Sequence, residues 1–548
     1  MAGTWNLADL FEAVVDRVGE REAVVSPATR LSYADLDERA NRLAHVLAAH
    51  GVARGDRVGL ALRNGHEHLE SLLGAYKLGA VPFNVNYRYT AAEMAYLFAD
   101  ARPRVVLHGP DLGEAVEPAV AERRAAGDAV TPLVGRGAPH EERLAGADPA
   151  RPDGAGRRGD DLYLLYTGGT TGMPKGVEWR HQDIVVAAMG AGSGAMVDAG
   201  RAPRRPATPA AMVQQAAAGR SRCLPASPLI HGTAQWVALA TLLAGGTVLT
   251  IPDSTFDPAQ LWDHAAAEAA TLVVIVGDAF GRPLADALAA HPDRWELGAL
   301  VAVVSGGAVL SPAVRDELSA HLPWAAIVDG YGTSETGGQG NAVWWPGRPA
   351  AERTRFPLGD HTAVLDHEGS PLVPGIDTGR IGLIARRGHI PLGYRNDPVR
   401  TAQTFPVLDG VRWAVPGDLG RVEDDGTVTL LGRGASSINT GGEKVFPDEV
   451  EAVLKAHPTV FDAAVVGVPD ERWGERVTAV VAPRAGATLD RADLEAHCRD
   501  HLAAFKVPRR LVEVAAVRRL PSGKADHAWV RAVARTGPAP RDEAPTGS

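Results

Sequence analysis

The stretch that decides the fold runs from residue 166 to residue 177 and reads Tyr166-Thr167-Gly168-Gly169-Thr170-Thr171-Gly172-Met173-Pro174-Lys175-Gly176-Val177. It follows the apolar segment 162–165, whose composition is typical of a buried strand. Small residues let backbone N–H groups approach an anion closely, threonine hydroxyls add donors, and a lysine supplies a point charge. The stretch therefore predicts a loop that binds a polyphosphate. It is not a Walker A loop, because Pro174 precedes the lysine and Gly176 follows it.

The bulk composition limits what kind of protein this is. A chain of 548 residues exceeds one ordinary hydrophobic core and predicts at least two domains. The formal net charge of −10 argues against nucleic acid as the main partner. Two cysteines, Cys223 and Cys498, are too few for a disulfide framework, which favours a reducing, cytoplasmic location. The first residues lack the pattern of a signal peptide, and no apolar run reaches the length of a membrane span.

Helical and strand patterns alternate through the first 150 residues, which predicts an α/β fold with largely parallel sheets. The predicted helices are 7–18, 35–49 and 67–78, and the predicted strands are 57–62 and 104–107. The stretch 109–160 is rich in small and charged residues and predicts surface helix and loop. The stretch 191–222 predicts an exposed insertion.

The pattern of predicted strands and helices changes after residue 430. A hairpin pattern with Asp425-Gly426 at its turn comes first. The next 115 residues or so contain strand patterns at 463–468 and 477–483 and helix patterns at 448–456 and 491–503. We therefore predict a large N-terminal domain over 1–433, a small α+β domain over 434–535 and a disordered tail over 536–548.

The lysines are few enough to count as candidates for chemistry. Of the 56 basic residues, fifty are arginines, and the six lysines are Lys77, Lys175, Lys444, Lys455, Lys506 and Lys524. Arginine does not replace lysine where a compact point charge is required. Lysines retained in an arginine-rich chain are therefore candidates for phosphate contacts.

The stretch 166–177 resembles the phosphate loop of the adenylate-forming superfamily, which includes acyl-CoA synthetases, luciferases and the adenylation domains of peptide synthetases. Further blocks follow in the order typical of that family and extend the resemblance over residues 7–535. These blocks are Pro228-Leu229-Ile230-His231-Gly232, Val303-Val304-Ser305-Gly306-Gly307-Ala308, Asp329-Gly330-Tyr331-Gly332-Thr333-Ser334-Glu335-Thr336, Pro416-Gly417-Asp418, Gly432-Arg433, Thr440-Gly441-Gly442-Glu443-Lys444-Val445 and Leu520-Pro521-Ser522-Gly523-Lys524. The resemblance implies a large AMP-binding domain of parallel-rich sheets and a smaller, mobile lid domain.

The resemblance also assigns roles within these blocks. Tyr331 is expected to stack on adenine, Asp418 and Arg433 to contact ribose or phosphate, and Glu335 to hold Mg²⁺. The implied catalytic residues are Thr171, His231, Glu335 and Lys524. The implied ATP- and AMP-binding residues are Thr167, Gly168, Gly169, Thr170, Thr171, Gly172, Lys175, Gly306, Gly307, Ala308, Asp329, Gly330, Tyr331, Gly332, Thr333, Asp418, Arg433 and Lys524.

Similar proteins carry out two reactions at one site. A carboxylate first attacks the α-phosphorus of ATP, and a thiol then attacks the resulting acyl-AMP after the C-terminal domain has rotated. The implied hinge is Ala435, where similar proteins have Asp or Lys, so this chain departs from the pattern. An apolar hinge can still absorb a change in backbone conformation.

The expected thiol is that of coenzyme A, and its implied contacts are Gly441, Gly442, Lys444, Trp473, Phe505 and Arg509. The details Val276-Gly277-Asp278-Ala279-Phe280 and Ile438-Asn439-Thr440 resemble the fatty-acyl and sterol-side-chain branch of acyl-CoA synthetases. A homodimer is a further expectation. Two alternatives stay open: an adenylating enzyme with another second step (amide formation, carrier-protein loading or nitrite activation for diazotisation), and a non-catalytic nucleotide-binding module.

Overall fold

A computed structural model gives the fold. It describes residues 4–169, 172–190, 206–251, 256–345, 355–433, 437–440, 443–470, 474–520 and 523–537, without the side chains of 168, 169, 172, 173, 433, 443 and 444. The predicted tail therefore lies almost entirely outside the described residues. None of the helices in the described ranges is long and apolar enough to cross a bilayer.

The largest sheet has eight strands in the order β14-β13-β12-β11-β9-β10-β1-β2. All its neighbours pair in parallel except at the two edges, where β2 and β14 run antiparallel. Its central strands are runs of buried aliphatic residues, which is typical of parallel sheets covered on both faces. The strands are β1 (Glu22–Ser26), β2 (Thr29–Ser32), β9 (Arg222–Pro225), β10 (Thr247–Leu249), β11 (Leu272–Ile275), β12 (Ala302–Gly306), β13 (Ala326–Thr333) and β14 (Gly337–Trp344).

A second, fully parallel sheet has the order β4-β3-β5-β6. Its strands are β3 (Arg57–Ala61), β4 (Val81–Asn84), β5 (Pro103–His108) and β6 (Thr131–Val134). The two parallel sheets confirm the predicted α/β class. Strand β6 lies in the stretch 109–160 that was predicted as surface helix and loop, and it was not foreseen because it is short and only Leu133 is buried.

Two antiparallel sheets complete the N-terminal domain. The smaller one has the order β18-β8-β7, and the larger one joins seven strands, including the hairpin β21–β22 that turns at the predicted Asp425-Gly426. Their strands are β7 (Leu162–Gly169), β8 (Gly172–Arg180), β15 (Arg355–Pro357), β16 (Thr362–Leu365), β17 (Ile381–Arg387), β18 (Gly393–Tyr394), β19 (Val407–Leu408), β20 (Val411–Ala414), β21 (Asp418–Val422) and β22 (Thr427–Arg433).

The C-terminal domain (residues 437–537) forms its own sheet in the order β24-β23-β26-β25, with β27 beside β26. Helices α14 and α15 cover one apolar cluster of this sheet and α16 packs on another. The strands are β23 (Ile438–Thr440), β24 (Glu443–Val445), β25 (Val460–Asp470), β26 (Gly474–Pro483) and β27 (Arg510–Glu513).

Two helices of the N-terminal domain begin at capping boxes that the sequence contains. The N-cap of α2, Ser32, forms a capping box with Asp35, and Thr90 does the same with Glu93 at α4. The helices are α1 (Leu7–Val18), α2 (Tyr33–Ala49), α3 (His66–Lys77), α4 (Ala91–Ala101), α5 (Gly113–Ala125), α6 (Ala138–Ala145), α7 (His181–Ala188), α8 (Pro209–Ala216), α9 (Gly232–Leu243), α10 (Pro258–Ala267), α11 (Gly277–Ala290), α12 (Pro312–His321), α13 (Pro398–Thr404), α14 (Pro447–Ala456), α15 (Arg491–His501) and α16 (His527–Thr536).

Helix α8 corrects one expectation about the stretch 191–222. Residues 191–205 lie outside the described residues, but α8 follows them and packs against α1. Its residues Met212, Val213 and Ala216 are buried. This part of the stretch is therefore core helix and not exposed loop, a difference that its small alanine side chains concealed.

Candidate functional site

The described residues of the predicted phosphate loop lie on two antiparallel strands, β7 and β8. Strands β7 and β8 pair in antiparallel fashion, with Thr167 opposite Lys175 and, after a shift of register, Gly169 opposite Gly172. The tip residues Thr170 and Thr171 lie outside the described residues. A hairpin differs from the strand–loop–helix of a Walker A motif, in agreement with the position of the proline before the lysine.

Tyr394 brings the loop lysine and the predicted magnesium ligand into one place. Strand β18 pairs with β8, which puts Tyr394 opposite Val177. The Lys175 ammonium lies 5.9 Å from the centroid of the Tyr394 ring. The hydroxyl of the same tyrosine donates a hydrogen bond to Oε1 of Glu335, at 2.7 Å. Lys175 and Glu335, which are 160 positions apart in sequence, therefore flank one aromatic ring.

The next group of predicted residues lies at the carboxyl ends of parallel strands in the eight-stranded sheet. Strands β11 and β12 end at neighbouring positions beside β13, and the carboxyl ends of such strands are the usual place for ligand binding in open α/β sheets. Gly306 ends β12 and pairs with Gly330 on β13, while Asp329 is buried opposite Ser305. The backbone leaves this edge through small residues, as close approach of a ligand requires.

The loop after β13 is ordered by its own side chains. The hydroxyl of Thr333 accepts a hydrogen bond from the Glu335 backbone at 3.2 Å and lies 3.1 Å from the hydroxyl of Thr336. The indole of Trp179, buried on β8, donates to the carbonyl of Ser334 at 3.0 Å. These contacts tie the loop that bears Glu335 to the hairpin that bears Lys175.

Tyr331 and Asp418 form a second pair of predicted residues that meet. The Tyr331 hydroxyl donates to Oδ2 of Asp418 at 3.0 Å, and both residues are buried. The Tyr331 ring also packs against Phe356, with ring centroids 5.5 Å apart. The side chain of Arg433 lies outside the described residues, but β22 places its backbone opposite Asp418.

A half-buried carboxyl group of the C-terminal domain, that of Asp448, reaches the same place. A Cβ on Gly432 would lie 2.7 Å from Oδ2 of Asp448, on α14. Burial, and then the neighbouring carboxylates of Glu451 and Asp418, raise the pKa of Asp448 well above its usual range. Acidic groups of both domains therefore interact beside the predicted ribose contact.

Asn84 links the phosphate hairpin to the turn that precedes His231. Its amide donates to the carbonyls of Tyr166 at 2.7 Å and Ile230 at 2.8 Å, and its oxygen accepts from the Tyr166 backbone at 2.8 Å. His231 follows as the N-cap residue of α9. Sequence reasoning missed Asn84, although a polar residue that ends an apolar strand was a visible signal.

Thr233 and Val276 join three predicted blocks, and neither was predicted as a site residue, although Val276 begins a stretch that resembles the acyl-CoA synthetase branch. A Cβ on Gly307 would lie 3.2 Å from the Thr233 hydroxyl and 4.0 Å from Cγ1 of Val276. A Cβ on Gly523 would lie 3.1 Å from that same Cγ1. The turn before Lys524, in the C-terminal domain, therefore rests on the residue that borders the Gly306-Gly307-Ala308 turn.

The predicted coenzyme A contacts are only partly described. Gly441, Gly442 and Trp473 lie outside the described residues, as does the hinge Ala435, and only the backbone of Lys444 is described. Phe505 is half-buried and packs against the core of the C-terminal domain. Arg509 is exposed, and its backbone donates to Val477 at 3.0 Å. These roles stay predictions.

Comparisons with known proteins agree with this geometry. The family described as AMP-binding enzyme matches residues 11–394, and its C-terminal domain matches residues 449–524. A medium/long-chain-fatty-acid--CoA/3-oxocholest-4-en-26-oate--CoA ligase of Mycolicibacterium smegmatis is 41% identical over 97% of both chains. A 3-oxocholest-4-en-26-oate--CoA ligase of Rhodococcus rhodochrous is 40% identical over 98% of this chain and 97% of its own.

A solved structure extends the similarity to the fold. ATP-bound MatB from Rhodopseudomonas palustris superposes with a TM-score of 0.79 at 29% identity, over 96% of this chain and 99% of its own. The family match spans well over half of the 548 residues, and the sequence relatives match almost the full length. The chain is a member of the AMP-binding enzyme family.

Proposed function

We propose that this protein is an AMP-forming ligase that joins an apolar carboxylic acid to coenzyme A in two steps at one site. The acid is a medium- to long-chain fatty acid or a steroid side-chain acid. Its support is the near full-length similarity to ligases named for these acids. The relatives act on these acids, and the geometry described above supplies groups suited to the chemistry.

The first step forms the acyl-adenylate. A carboxylate oxygen of the acid attacks the α-phosphorus of ATP, a new P–O bond forms, the bond to the bridging oxygen breaks, and pyrophosphate leaves. The hairpin tip and Lys175 bind the polyphosphate, while Lys524 approaches the α-phosphate and the attacking carboxylate. Compact cations at fixed positions stabilise the negative charge that develops as pyrophosphate departs.

The nucleoside lies between the sheet edge and Asp418 in this proposal. The Gly306-Gly307-Ala308 turn allows close backbone approach, and the Tyr331 ring borders the base. The Asp418 carboxylate, which already accepts from Tyr331, has a second oxygen suited to ribose hydroxyls. These groups orient ATP for attack and do not change their own charge during the step.

A magnesium ion would be held by Glu335 together with the phosphates of ATP. Among the described residues no group of three or more His, Cys, Asp or Glu side chains forms a metal cage. Mg²⁺ commonly binds through one or two carboxylates plus substrate phosphates and water, so a single half-buried carboxylate fits it. Tyr394 donates to one Glu335 oxygen and orients the other. When bound, the ion offsets charge on the phosphates.

The second step transfers the acyl group. The coenzyme A sulfur attacks the acyl carbon of the adenylate, a C–S bond forms, the C–O bond to the phosphate breaks, AMP leaves, and the thiol proton passes to solvent. The residues proposed to bind coenzyme A are Gly441, Gly442, Lys444, Trp473, Phe505 and Arg509.

The contact between the Gly523 turn and Val276 supports the proposed role of Lys524 most directly, because Lys524 follows Gly523 and Val276 borders the Gly306-Gly307-Ala308 turn. The test measures pyrophosphate release and thioester formation with decanoate, palmitate and a 3-oxo steroid carboxylic acid, each with and without coenzyme A. We expect ATP-dependent pyrophosphate release and a coenzyme A thioester identified by mass. Lys524→Ala should abolish the release, while Arg499→Ala, which removes an exposed ion pair on α15, should not.

Two results would contradict the proposal. Pyrophosphate release without any thioester would favour an adenylating enzyme with another second step. The absence of both release and ATP binding would favour a non-catalytic nucleotide-binding module.

A further inference from the structure

Three of the six lysines lie outside the predicted phosphate contacts and have side chains that the structure describes. Lys77 is buried in the N-terminal domain between Glu12 and Asp37, and Lys506 pairs with Glu449 inside the C-terminal domain. Lys455 differs from both, because the acids around it come from two domains. Its ion pairs therefore depend on how the domains are docked.

Lys455 lies in the last turn of helix α14 and is 6% exposed. Its ammonium lies 3.4 Å from Oδ2 of Asp278, at the start of α11 in the N-terminal domain. It also lies 3.7 Å from Glu451 and 3.9 Å from Asp462, both in the C-terminal domain. Burial alone lowers the pKa of Lys455, but the carboxylates of Asp278, Glu451 and Asp462 outweigh burial and hold it above its usual value. The side chain therefore stays charged.

Asp278 is itself buried and needs a counter-charge. Its Oδ1 accepts a hydrogen bond from the Ser311 backbone at 2.8 Å, while its Oδ2 has no hydrogen-bond partner. Among the contacts described above, the ammonium of Lys455 is the positive charge nearest to Oδ2 of Asp278. A buried carboxylate that lost this cation would be strongly unfavourable. The pair therefore stabilises docking of the two domains in the arrangement seen here.

The same cluster continues to the turn that bears Lys524. Asp462 accepts two hydrogen bonds from Arg519, at 2.8 and 2.7 Å. Arg519 in turn donates to the carbonyl of Gly523 at 2.7 Å. Asp278, Lys455, Asp462 and Arg519 thus form a continuous series of contacts from the N-terminal domain to the residue before Lys524. We call these four residues the docking relay.

Two backbone hydrogen bonds make the turn a rigid end for the relay. Leu520 donates to the Lys524 carbonyl at 2.8 Å, and Gly523 donates to Leu520 at 2.8 Å. On its other side Gly523 packs on Val276 and Phe280, which flank Asp278 in sequence. The turn is therefore held to the N-terminal domain both by apolar contact and by the relay.

We propose that the docking relay positions Lys524 for adenylation, so that Asp278 and Lys455 are positioning residues for the first half-reaction and not for the second. The inference rests on the role of Lys524 given under the proposed function. Acyl transfer requires no lysine at the α-phosphate, because the bond between the α- and β-phosphates was already broken in the first step. Loss of the relay should therefore separate the two half-reactions.

The experiment uses the full chain and measures each half-reaction alone. Adenylation is followed as single-turnover pyrophosphate release with decanoate, and acyl transfer is followed with synthetic decanoyl-adenylate and coenzyme A. Asp278→Asn keeps the oxygen that accepts from Ser311 but removes the charge. We expect adenylation to slow by roughly tenfold or more, while acyl transfer changes less than about threefold.

Three further variants test the route of the effect. Lys455→Met should slow adenylation similarly, and Asp278→Asn combined with Lys455→Met should be no slower than the worse single variant, because both remove one interaction. Lys455→Arg, which retains the cation, should keep most of the rate. Arg499→Met removes an exposed ion pair within α15 and should change neither half-reaction.

The outcomes separate this inference from the proposed function. If the unmodified enzyme releases no pyrophosphate with any acid, both fail. If it does and Asp278→Asn matches it, the inference alone fails. Equal loss in both half-reactions, accompanied by a lower melting temperature, would also overturn it, since a purely structural role predicts that pattern.

Discussion

The Tyr394 hydroxyl donates a 2.7 Å hydrogen bond to Oε1 of Glu335, while the Lys175 ammonium lies 5.9 Å from the same ring. One side chain on a two-residue strand thus orients the proposed magnesium ligand and borders the proposed phosphate ligand. Aromatic rings also attract cations at such distances, which favours a fixed position for the lysine.

Tyr394→Phe should therefore impair adenylation by weakening metal binding. Loss of a hydrogen bond to a charged group costs about 1.5–3 kcal/mol, so we expect a roughly tenfold or larger fall in pyrophosphate release at low Mg²⁺. Titration of the rate against Mg²⁺ checks this, because high concentrations should restore most of the activity. Tyr96→Phe, at an exposed tyrosine, is the control. An unchanged Mg²⁺ dependence would contradict the assignment.

Asn84→Leu should destabilise the N-terminal domain and reduce activity together. The change removes three hydrogen bonds and leaves backbone groups of Tyr166 and Ile230 without partners. We expect a loss of about 2–4 kcal/mol in the free energy of unfolding, measured by denaturant titration. Asn41→Leu removes one such bond, to Pro149, and should cost clearly less. Equal losses of unfolding free energy in the two variants would contradict the prediction that the bonds of Asn84 between β7 and the His231 turn contribute more to stability than a single side-chain bond.

Gly523→Ala should slow adenylation by displacing the turn that bears Lys524 from Val276 and Phe280. The residue has φ +78°, and an added Cβ would press on Val276 and Phe280. We expect a fall in single-turnover pyrophosphate release of about tenfold, with a smaller effect on acyl transfer. Gly486→Ala is the matched control, since its φ is +76° but no atom lies within 4 Å of the added carbon. A similar loss in both variants would point to backbone strain alone.

His181 predicts a dependence of stability on pH. Burial lowers its pKa from 6.5 to about 3, and its Nδ1 accepts a hydrogen bond from the Leu7 backbone. The folded protein therefore keeps the ring neutral, whereas the unfolded chain takes up a proton below pH 6.5. A lowered folded pKa means that stability is complete above the unfolded pKa and is lost as pH falls toward the folded one.

His181→Asn should remove this dependence while its amide oxygen continues to accept from Leu7. Between pH 6.5 and about pH 5, the unfolding free energy of the unmodified protein should fall by about 1.5 kcal/mol more than that of the variant. Denaturant titrations at the two pH values measure the difference. His367→Asn, at a strongly exposed histidine, should leave the slope unchanged. Parallel slopes for His181→Asn and the unmodified protein would contradict the prediction.

The parts of the fold that sequence could predict are those fixed by local patterns. Helix α1 spans the predicted residues 7–18, and the two central strands of the four-stranded parallel sheet, β3 and β5, are the apolar runs predicted at 57–62 and 104–107. Short or weakly apolar elements were missed, notably β6, β18 and α8, since two to eight residues carry little periodicity. Such elements form because long-range packing stabilises them.

In the candidate site, too, local motifs could be identified from the sequence, whereas long-range contacts could not. Motif residues such as Lys175, Glu335 and Asp418 were identified individually, but nothing in the sequence showed that Tyr394 joins the first two. Val276 and Asn84 were also hidden, because their roles depend on which distant backbone they touch. Contacts between residues far apart in sequence are fixed by topology, which a local pattern does not record.

The three-stranded sheet of β7, β8 and β18 also sets an order of events during synthesis. The hairpin that presents Lys175 leaves the ribosome early, but its third strand is residues 393 and 394. A nascent chain that has emerged only as far as residue 390 possesses the loop lysine and Glu335, yet lacks the tyrosine that lies between them. Because domains generally fold as units during translation, the arrangement of Lys175, Tyr394 and Glu335 is completed only after most of the N-terminal domain is already outside the ribosome.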